Sequence, residues 1–518
     1  MRVAIALDPA ALSADQETDH TISAASGRRA EARAWAIPAF RPEPSPLPQL
    51  SYISTRGTAP RLNFEDVLLA GLARDGGLYL PESWPTLARD EIAALAGLPF
   101  DEVAVRVIAP FTGGLIARDD LARMAKDAYA TFGHPAVTPL VQVDRNTFIL
   151  ELFHGPTLAF KDVAMQLLAR LMDHVLAKRN QRATIVGATS GDTGGAAIEA
   201  FRSSERVDVV ILFPDGRVSD VQRRMMTTTG APNVHAVAVD GTFDDCQALV
   251  KGMFNDHAFR DSVALSGVNS INWARIVAQA TYYFFAATAL GAPHRSVSFT
   301  VPTGNFGDVF AGYVAKRMGL SIDRLGIASN TNDILPRAYD TGVYDMRGVV
   351  ATSSPSMDIQ ISSNFERYLF EANGRDAALV RGQMGSLAQG GRFDIGPALA
   401  SWRQEFEAAS ASETEVAEAI RHVRKESGYL MDPHTACGWV ALQKARHRCS
   451  APDVILSTAH PAKFPDAMQQ ITGERPGLPP RLASLMSDPE RIDRLPNDLA
   501  AVQRYVGERA RAVREVRS

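Results

Sequence analysis

The residues with the clearest chemical potential lie in one stretch, Glu151-Leu152-Phe153-His154-Gly155-Pro156-Thr157-Leu158-Ala159-Phe160-Lys161-Asp162. The run from Phe148 to Phe153 has the length and aromatic or β-branched content of a buried strand, and Gly155-Pro156 ends it. Beyond Lys161, apolar residues at Val163, Ala164, Leu167, Leu168, Leu171 and Val175 recur at helical spacing, so the lysine is predicted on the first turn of a helix. A cation there faces the positive end of the macrodipole, and Leu158 and Phe160 would desolvate it; both effects favour the neutral amine. A neutral amine is a nucleophile that can form a Schiff base with an aldehyde. The same placement also suits an ordinary solvated lysine at a helix end.

Two loops could hold anions near it. Pro302-Thr303-Gly304-Asn305-Phe306-Gly307-Asp308 follows a predicted strand from Ser296 to Val301 and precedes a predicted helix from Val309 to Met318. Free backbone N–H groups and the helix dipole hold phosphates at such junctions, although a plain glycine turn has the same appearance. Gly187 to Gly195 repeats the pattern between a strand at Ala183 to Val186 and a helix at Ala196 to Phe201, with hydroxyls at Thr189, Ser190 and Thr193. Neither loop carries a dinucleotide or nucleoside-triphosphate fingerprint. One activatable lysine and two anion cradles suit pyridoxal 5'-phosphate acting on an anionic amino acid. His154 could relay a proton or be a hydrogen-bonded structural histidine. Met225, Met226, Phe254 and Tyr282-Tyr283-Phe284-Phe285 are read as core.

The elements that must position these loops alternate between strand and helix. Val207 to Phe213 and Val234 to Val239 read as strands, and Asp244 to Phe254 as a helix. Val454 to Leu456 is a strand running into Ser457-Thr458-Ala459-His460 and a helix opened by Pro461. This order predicts a mainly parallel sheet covered on both faces, with ligands beyond the carboxyl ends of its strands. The 518 residues imply two or three domains. A net charge of -4 with no basic block argues against nucleic acid as a partner. No apolar run is long enough to span a bilayer. Cys246, Cys437 and Cys449 are widely spaced and odd in number, which points to reduced thiols and a cytoplasmic setting, with no metal site. Residues 1 to 50 lack periodicity and end in a proline-rich stretch, which predicts a flexible extension.

Seven motifs in order then resemble one family. They are Tyr52-Ile53-Ser54-Thr55-Arg56-Gly57, Asp75-Gly76-Gly77-Leu78-Tyr79, the His154 to Asp162 stretch, Ser190-Gly191-Asp192-Thr193-Gly194, Asn269-Ser270-Ile271-Asn272-Trp273-Ala274-Arg275, Pro302 to Asp308, and Thr458-Ala459-His460-Pro461. Together they resemble threonine synthases of the long bacterial and fungal type, from about residue 51 to about 475. The resemblance implies an α/β protein with the tryptophan synthase β-like fold, fold type II of pyridoxal-phosphate enzymes: two three-layer α/β domains and a small N-terminal module. The implied boundaries are 51–145 for that module, 146–180 with 266–475 for a large cofactor-binding domain, 181–265 for a smaller mobile domain, and 476–518 for a C-terminal helical tail.

Carried onto this sequence, the resemblance makes Lys161 the Schiff-base lysine and general base. Gly304, Asn305, Phe306 and Gly307 would hold the cofactor phosphate, with Phe160 and Asp308 as further cofactor contacts and Thr458 giving a hydroxyl to the pyridine nitrogen. Thr189, Ser190, Asp192 and Thr193 would meet the substrate carboxylate and the cofactor hydroxyl. Asp192 needs a positive partner or a proton to sit beside an anionic substrate. Asn269, Ser270 and Arg275 fall where a substrate phosphate is expected, and only Arg275 offers the planar fork that suits one; an ordinary helix salt bridge is the alternative. The implied reaction converts O-phospho-L-homoserine and water to L-threonine and phosphate, in a monomer or homodimer. A serine or threonine dehydratase, a phospholyase and a noncatalytic phosphometabolite-binding protein are the rivals. The N-terminal module and the stretch Asn269 to Arg275 discriminate against the dehydratase, and retention of Lys161 counts against the noncatalytic protein.

Overall fold

The computed structural model describes residues 50–445 and 450–512. The predicted extension before Leu50 and Cys449 lie outside the described residues. Two sheets carry the architecture. The larger has six strands in the order Phe406–Ser410, Ile322–Ser329, Val297–Pro302, Asp453–Ser457, Thr147–Glu151, Leu140–Gln142. All neighbours are parallel except the last pair, in which Leu140 opposes Leu150. The smaller is wholly parallel, in the order Asp493–Leu495, Val234–Val239, Val207–Pro214, Ala183–Ala188, Leu265–Ser266. Every residue of Val207–Pro214, Val234–Val239 and Val297–Pro302 is buried, as sheets covered on both faces require.

The two main sheets agree with the two α/β domains that the resemblance implies. Two sequence expectations change in detail. Leu140–Gln142, expected within the N-terminal module, is an edge strand of the larger sheet. The C-terminal segment is not helical throughout: Asp493–Leu495 pairs with Val237 to Val239 and ends the smaller sheet, and the helix Leu499–Arg509 follows it. Val502 and Val506 of that helix share an apolar cluster with Leu249 and Met253.

The N-terminal module is packed into the rest of the chain. Asn63 caps the helix Phe64–Ala70, its side chain accepting from the Asp66 amide at 3.0 Å. The Tyr52 hydroxyl donates to the Phe111 carbonyl at 2.7 Å, and its ring lies 6.0 Å from that of Trp273. Thr55 and Arg56 both donate to the buried Glu366 carboxylate, at 2.6 Å and 3.0 Å. No described helix is long and apolar enough to cross a membrane.

Candidate active site

Lys161 is the first residue of the helix Lys161–Lys178. Its position is fixed by the turn before it. Phe160 donates its amide to the Thr458 carbonyl at 2.9 Å, and His460 donates to the Leu158 carbonyl at 3.1 Å, so the loops following two adjacent strands are stitched together. Asp162 is fully buried and accepts from the Thr157 amide and hydroxyl, each at 2.7 Å. Gly155 is needed there: a Cβ would sit 2.4 Å from that of Asp162. The Lys161 side chain is 11% exposed, and its Nζ lies 5.0 Å from the centroid of the Phe160 ring. Burial pushes the amine below its ordinary range; Asp192 opposes this, while the charges of Lys463 and Arg275 reinforce it.

Asp192 faces Lys161 with Oδ2 at 3.2 Å from Nζ. The loop that carries it is shorter than expected: the strand runs on to Ala188 and the helix opens at Asp192, so Gly194 and Gly195 are helical. Close packing explains glycine inside a helix. A Cβ on Gly194 would lie 2.5 Å from Thr189 Cγ2 and 2.8 Å from Met226 Sδ. The Thr189 hydroxyl oxygen accepts from the Gly191 and Gly194 amides, both at 2.9 Å, so it braces the loop. Ser190 and Thr193 are partly exposed beside it. Asp192 also accepts from Lys463 at 2.6 Å, Gln222 at 2.9 Å and Ser356 at 3.0 Å. Burial alone would raise its carboxyl, but the two lysines and the Gln222 donor hold it well below the usual carboxylate range. The positive partner that an anionic site demands is therefore built in.

The second loop lies between Val297–Pro302 and the helix Gly307–Arg317, which starts two residues earlier than predicted. Phe306 takes the left-handed conformation (φ 62°), and its buried ring packs 5.2 Å from Phe365, so only its backbone is available to a ligand. Gly304 lies under Ser356, whose carbonyl would be 2.9 Å from an added Cβ. The Asn305 carbonyl accepts the Asn364 amide and side chain at 3.0 and 3.1 Å; the Asn305 residue itself is exposed. The first N–H groups of the following helix have no partners in its own ladder.

Asp308, at that helix start, turns its carboxylate toward Tyr282 and Tyr283, which both donate to Oδ1, while Oδ2 has no partner. These tyrosines are buried, as core residues should be, yet serve a polar purpose. Burial pushes the Asp308 carboxyl up to about 7. The native state thus keeps a proton that the unfolded chain releases near 3.8, and stability contributed by this group falls as pH rises between those values. Asp308→Asn should flatten the fall in melting temperature of cofactor-free protein across that window; parallel curves would contradict the assignment.

Arg275, on the helix Trp273–Ala289, is 2% exposed. One of its Nη atoms donates to the Val268 carbonyl at 3.0 Å, and its Nε has no partner. No carboxylate among the described residues forms a salt bridge with it, so the helix salt bridge is not what the structure shows. Burial pushes its guanidinium down to about 10. Asn269 is exposed and Ser270 partly so, the latter accepting from Asn364 at its carbonyl. Thr458 is buried on the loop after Asp453–Ser457. His154 pairs with Glu151 at 2.7 Å, the structural role considered for it.

Sequence reasoning missed Lys463, Gln222 and Ser356, all in contact with Asp192. Lys463 left a signal: it lies in Pro461-Ala462-Lys463-Phe464-Pro465, an apolar setting that solvated lysines seldom occupy. Ser356 left none; its amide donates to His434 Nε2 at 3.3 Å, and His434 Nδ1 lies 2.7 Å from Asp432.

A buried amine, a buried guanidinium and a glycine-containing loop sit at or near the starts of three helices that each follow a strand, and residues 131–459 match the family model described as pyridoxal-phosphate dependent enzyme. The class is thus that of pyridoxal-phosphate enzymes of fold type II. Within it, residues 51–129 match the model for the threonine synthase N terminus, and 435–506 that for the threonine synthase C-terminal region. Threonine synthase of Pseudomonas aeruginosa is 52% identical over 461 residues, covering 89% of this chain and 98% of that one. The pyridoxal-phosphate-bound crystal structure of threonine synthase from Brucella melitensis superposes with a TM-score of 0.87 at 60% identity, covering 89% of this chain and all of that one. Yeast threonine synthase gives 0.84 at 39% identity, covering 90% and 99%. The chain belongs to the threonine synthase family.

Proposed function

We propose that the chain converts O-phospho-L-homoserine and water to L-threonine and phosphate. The observation that carries this reading is a buried amine at the helix start, Lys161, together with a buried guanidinium, Arg275, whose Nε has no partner. Pyridoxal phosphate, when bound, supplies an aldehyde for the amine and a ring that accepts charge from the substrate carbons. Gly304, Asn305, Phe306 and Gly307 would hold its phosphate, with Phe160 and Asp308 as further cofactor contacts and the Thr458 hydroxyl meeting the pyridine nitrogen. Lys161 removes the Cα proton and then a Cβ proton. The phosphate departs from Cγ with its bonding pair, the hydroxyl of water adds at Cβ, and protons return to Cγ and Cα. Arg275, with Asn269 and Ser270 on the loop before its helix, would grip the leaving phosphate, and that phosphate would act as the base toward water. Ser190, Thr193, Thr189 and Asp192 would meet the substrate carboxylate and the cofactor hydroxyl.

We read 146–180 with 266–475 as the cofactor-holding body and 181–265 as a part that moves against it, the Asp192 contacts being the clasp. The buried unpaired thiols of Cys246 and Cys437 support a cytoplasmic setting, and a monomer or homodimer is the assembly proposed. Incubation with phosphohomoserine tests the reading. Phosphate and threonine should appear in equal amounts; phosphate with 2-oxobutyrate would favour a phospholyase instead.

A further inference from the structure

One buried lysine, a partner of Asp192, has no part in the chemistry of the reading above. Lys463 ends the short turn Pro461–Lys463 with 1% of its side chain exposed. Its Nζ donates to the Thr157 carbonyl at 2.9 Å and meets Asp192 Oδ1 at 2.6 Å, whereas Lys161 meets Oδ2 at 3.2 Å. One carboxylate thus faces two amines in a site nearly closed to water, and its single charge can offset only one ammonium. Lys463 has the shorter contact and a second acceptor; Lys161 has neither.

We infer that Lys463 is a positioning residue that occupies Asp192, so that the missing proton of this three-group cluster is the one on Lys161. A like charge beside an amine disfavours its ammonium form, and that effect adds to burial. The other charged groups bearing on Lys161 are Arg275 from the helix Trp273–Ala289 and Asp308 from the helix Gly307–Arg317. Arg275 acts in the same direction as Lys463. Asp308 opposes it, but only in part near neutrality, since its own carboxyl is pushed up to about 7. Asp162, which bears on Lys463, is satisfied by Thr157. Gln222 and Ser356 complete the shell as neutral donors to Asp192.

This inference rests on Lys161 being the cofactor lysine, and the test separates the two. The full-length protein, freed of cofactor, is treated with cyanate, a small reagent that carbamylates only neutral amines. The rate at Lys161 is followed against pH by peptide mass spectrometry. K463M and K463Q should raise the midpoint by about one pH unit or more, so that below it the rate falls about tenfold. K463R should return the profile toward wild type, and D192N should move the midpoint down. An unmoved midpoint in folded K463M or K463Q overturns the inference, as does a D192N midpoint that stays or rises. Where the lysine variants do not fold, the wild-type protein decides: carbamylation of Lys463 at a lower pH than Lys161 overturns the inference. Borohydride reduction of the holoprotein is run alongside. No adduct at Lys161 in wild type defeats the cofactor-lysine reading itself, whereas an adduct with an unmoved midpoint defeats only the role of Lys463.

Discussion

Lys161→Ala protein will stay colourless after incubation with pyridoxal phosphate and will lose activity on phosphohomoserine by about 10³-fold or more, the scale expected when a group that is both nucleophile and general base is removed. The substitution should leave the fold intact. Lys161 occupies the first helical position, where a cation is unfavourable and alanine is a good helix former. Asp192 would keep Lys463, Gln222 and Ser356, so no buried carboxylate is left bare. Circular dichroism should show unchanged helix content and a melting temperature no lower than wild type. Absorbance and mass spectrometry after reduction check the chemistry; a coloured variant with an adduct on Lys463 would transfer the nucleophile's role to that neighbour.

Arg275→Ala should lower kcat/KM for the phosphorylated substrate by roughly 10²-fold, since truncating one partner of a buried charge pair costs about 2–5 kcal/mol. The visible cofactor band should persist, because Arg275 is proposed to hold the substrate's phosphate and not the cofactor's. Arg275→Lys should recover little: a lysine cannot both satisfy the Val268 carbonyl and present the planar second edge that the guanidinium keeps free. Inorganic phosphate should inhibit the wild type and not the alanine variant. Undiminished catalytic efficiency, or loss of the cofactor band with activity, would refute the assignment.

The local geometry of the candidate site was legible in the sequence because strand–loop–helix junctions are written locally. Lys161 at a helix start, the loop before Gly307–Arg317 proposed to hold a phosphate, and the Thr458 loop all lie where apolar runs meet glycine or proline. Helix starts shifted by two to four residues where glycine was taken as a breaker: Gly194, Gly195 and Gly307 are helical, and at Gly194 close neighbours exclude a side chain, a packing constraint invisible in one dimension. The ionic partners were less legible. That Asp192 needed a cation or a proton followed from its charge, but that it has a cation, and that the cation is Lys463, depends on a contact between elements that follow strands of two different sheets. Arg275 showed the reverse: its spacing suggested a helix ion pair as readily as a phosphate contact, and only its burial with no salt bridge among the described residues speaks against the ion pair.

The closing strand of the smaller sheet has a bearing on how the protein is made. Val234–Val239 leaves the ribosome with one edge unpaired, and four strands of the larger sheet are synthesised before Asp493–Leu495 arrives to cover it. Until then the half carrying Asp192 presents an open, apolar strand edge, a template for pairing with other nascent chains. Shortening the gene from its 3' end should therefore harm yield before it harms chemistry, with product collecting in inclusion bodies once codons for Asp493–Leu495 are lost.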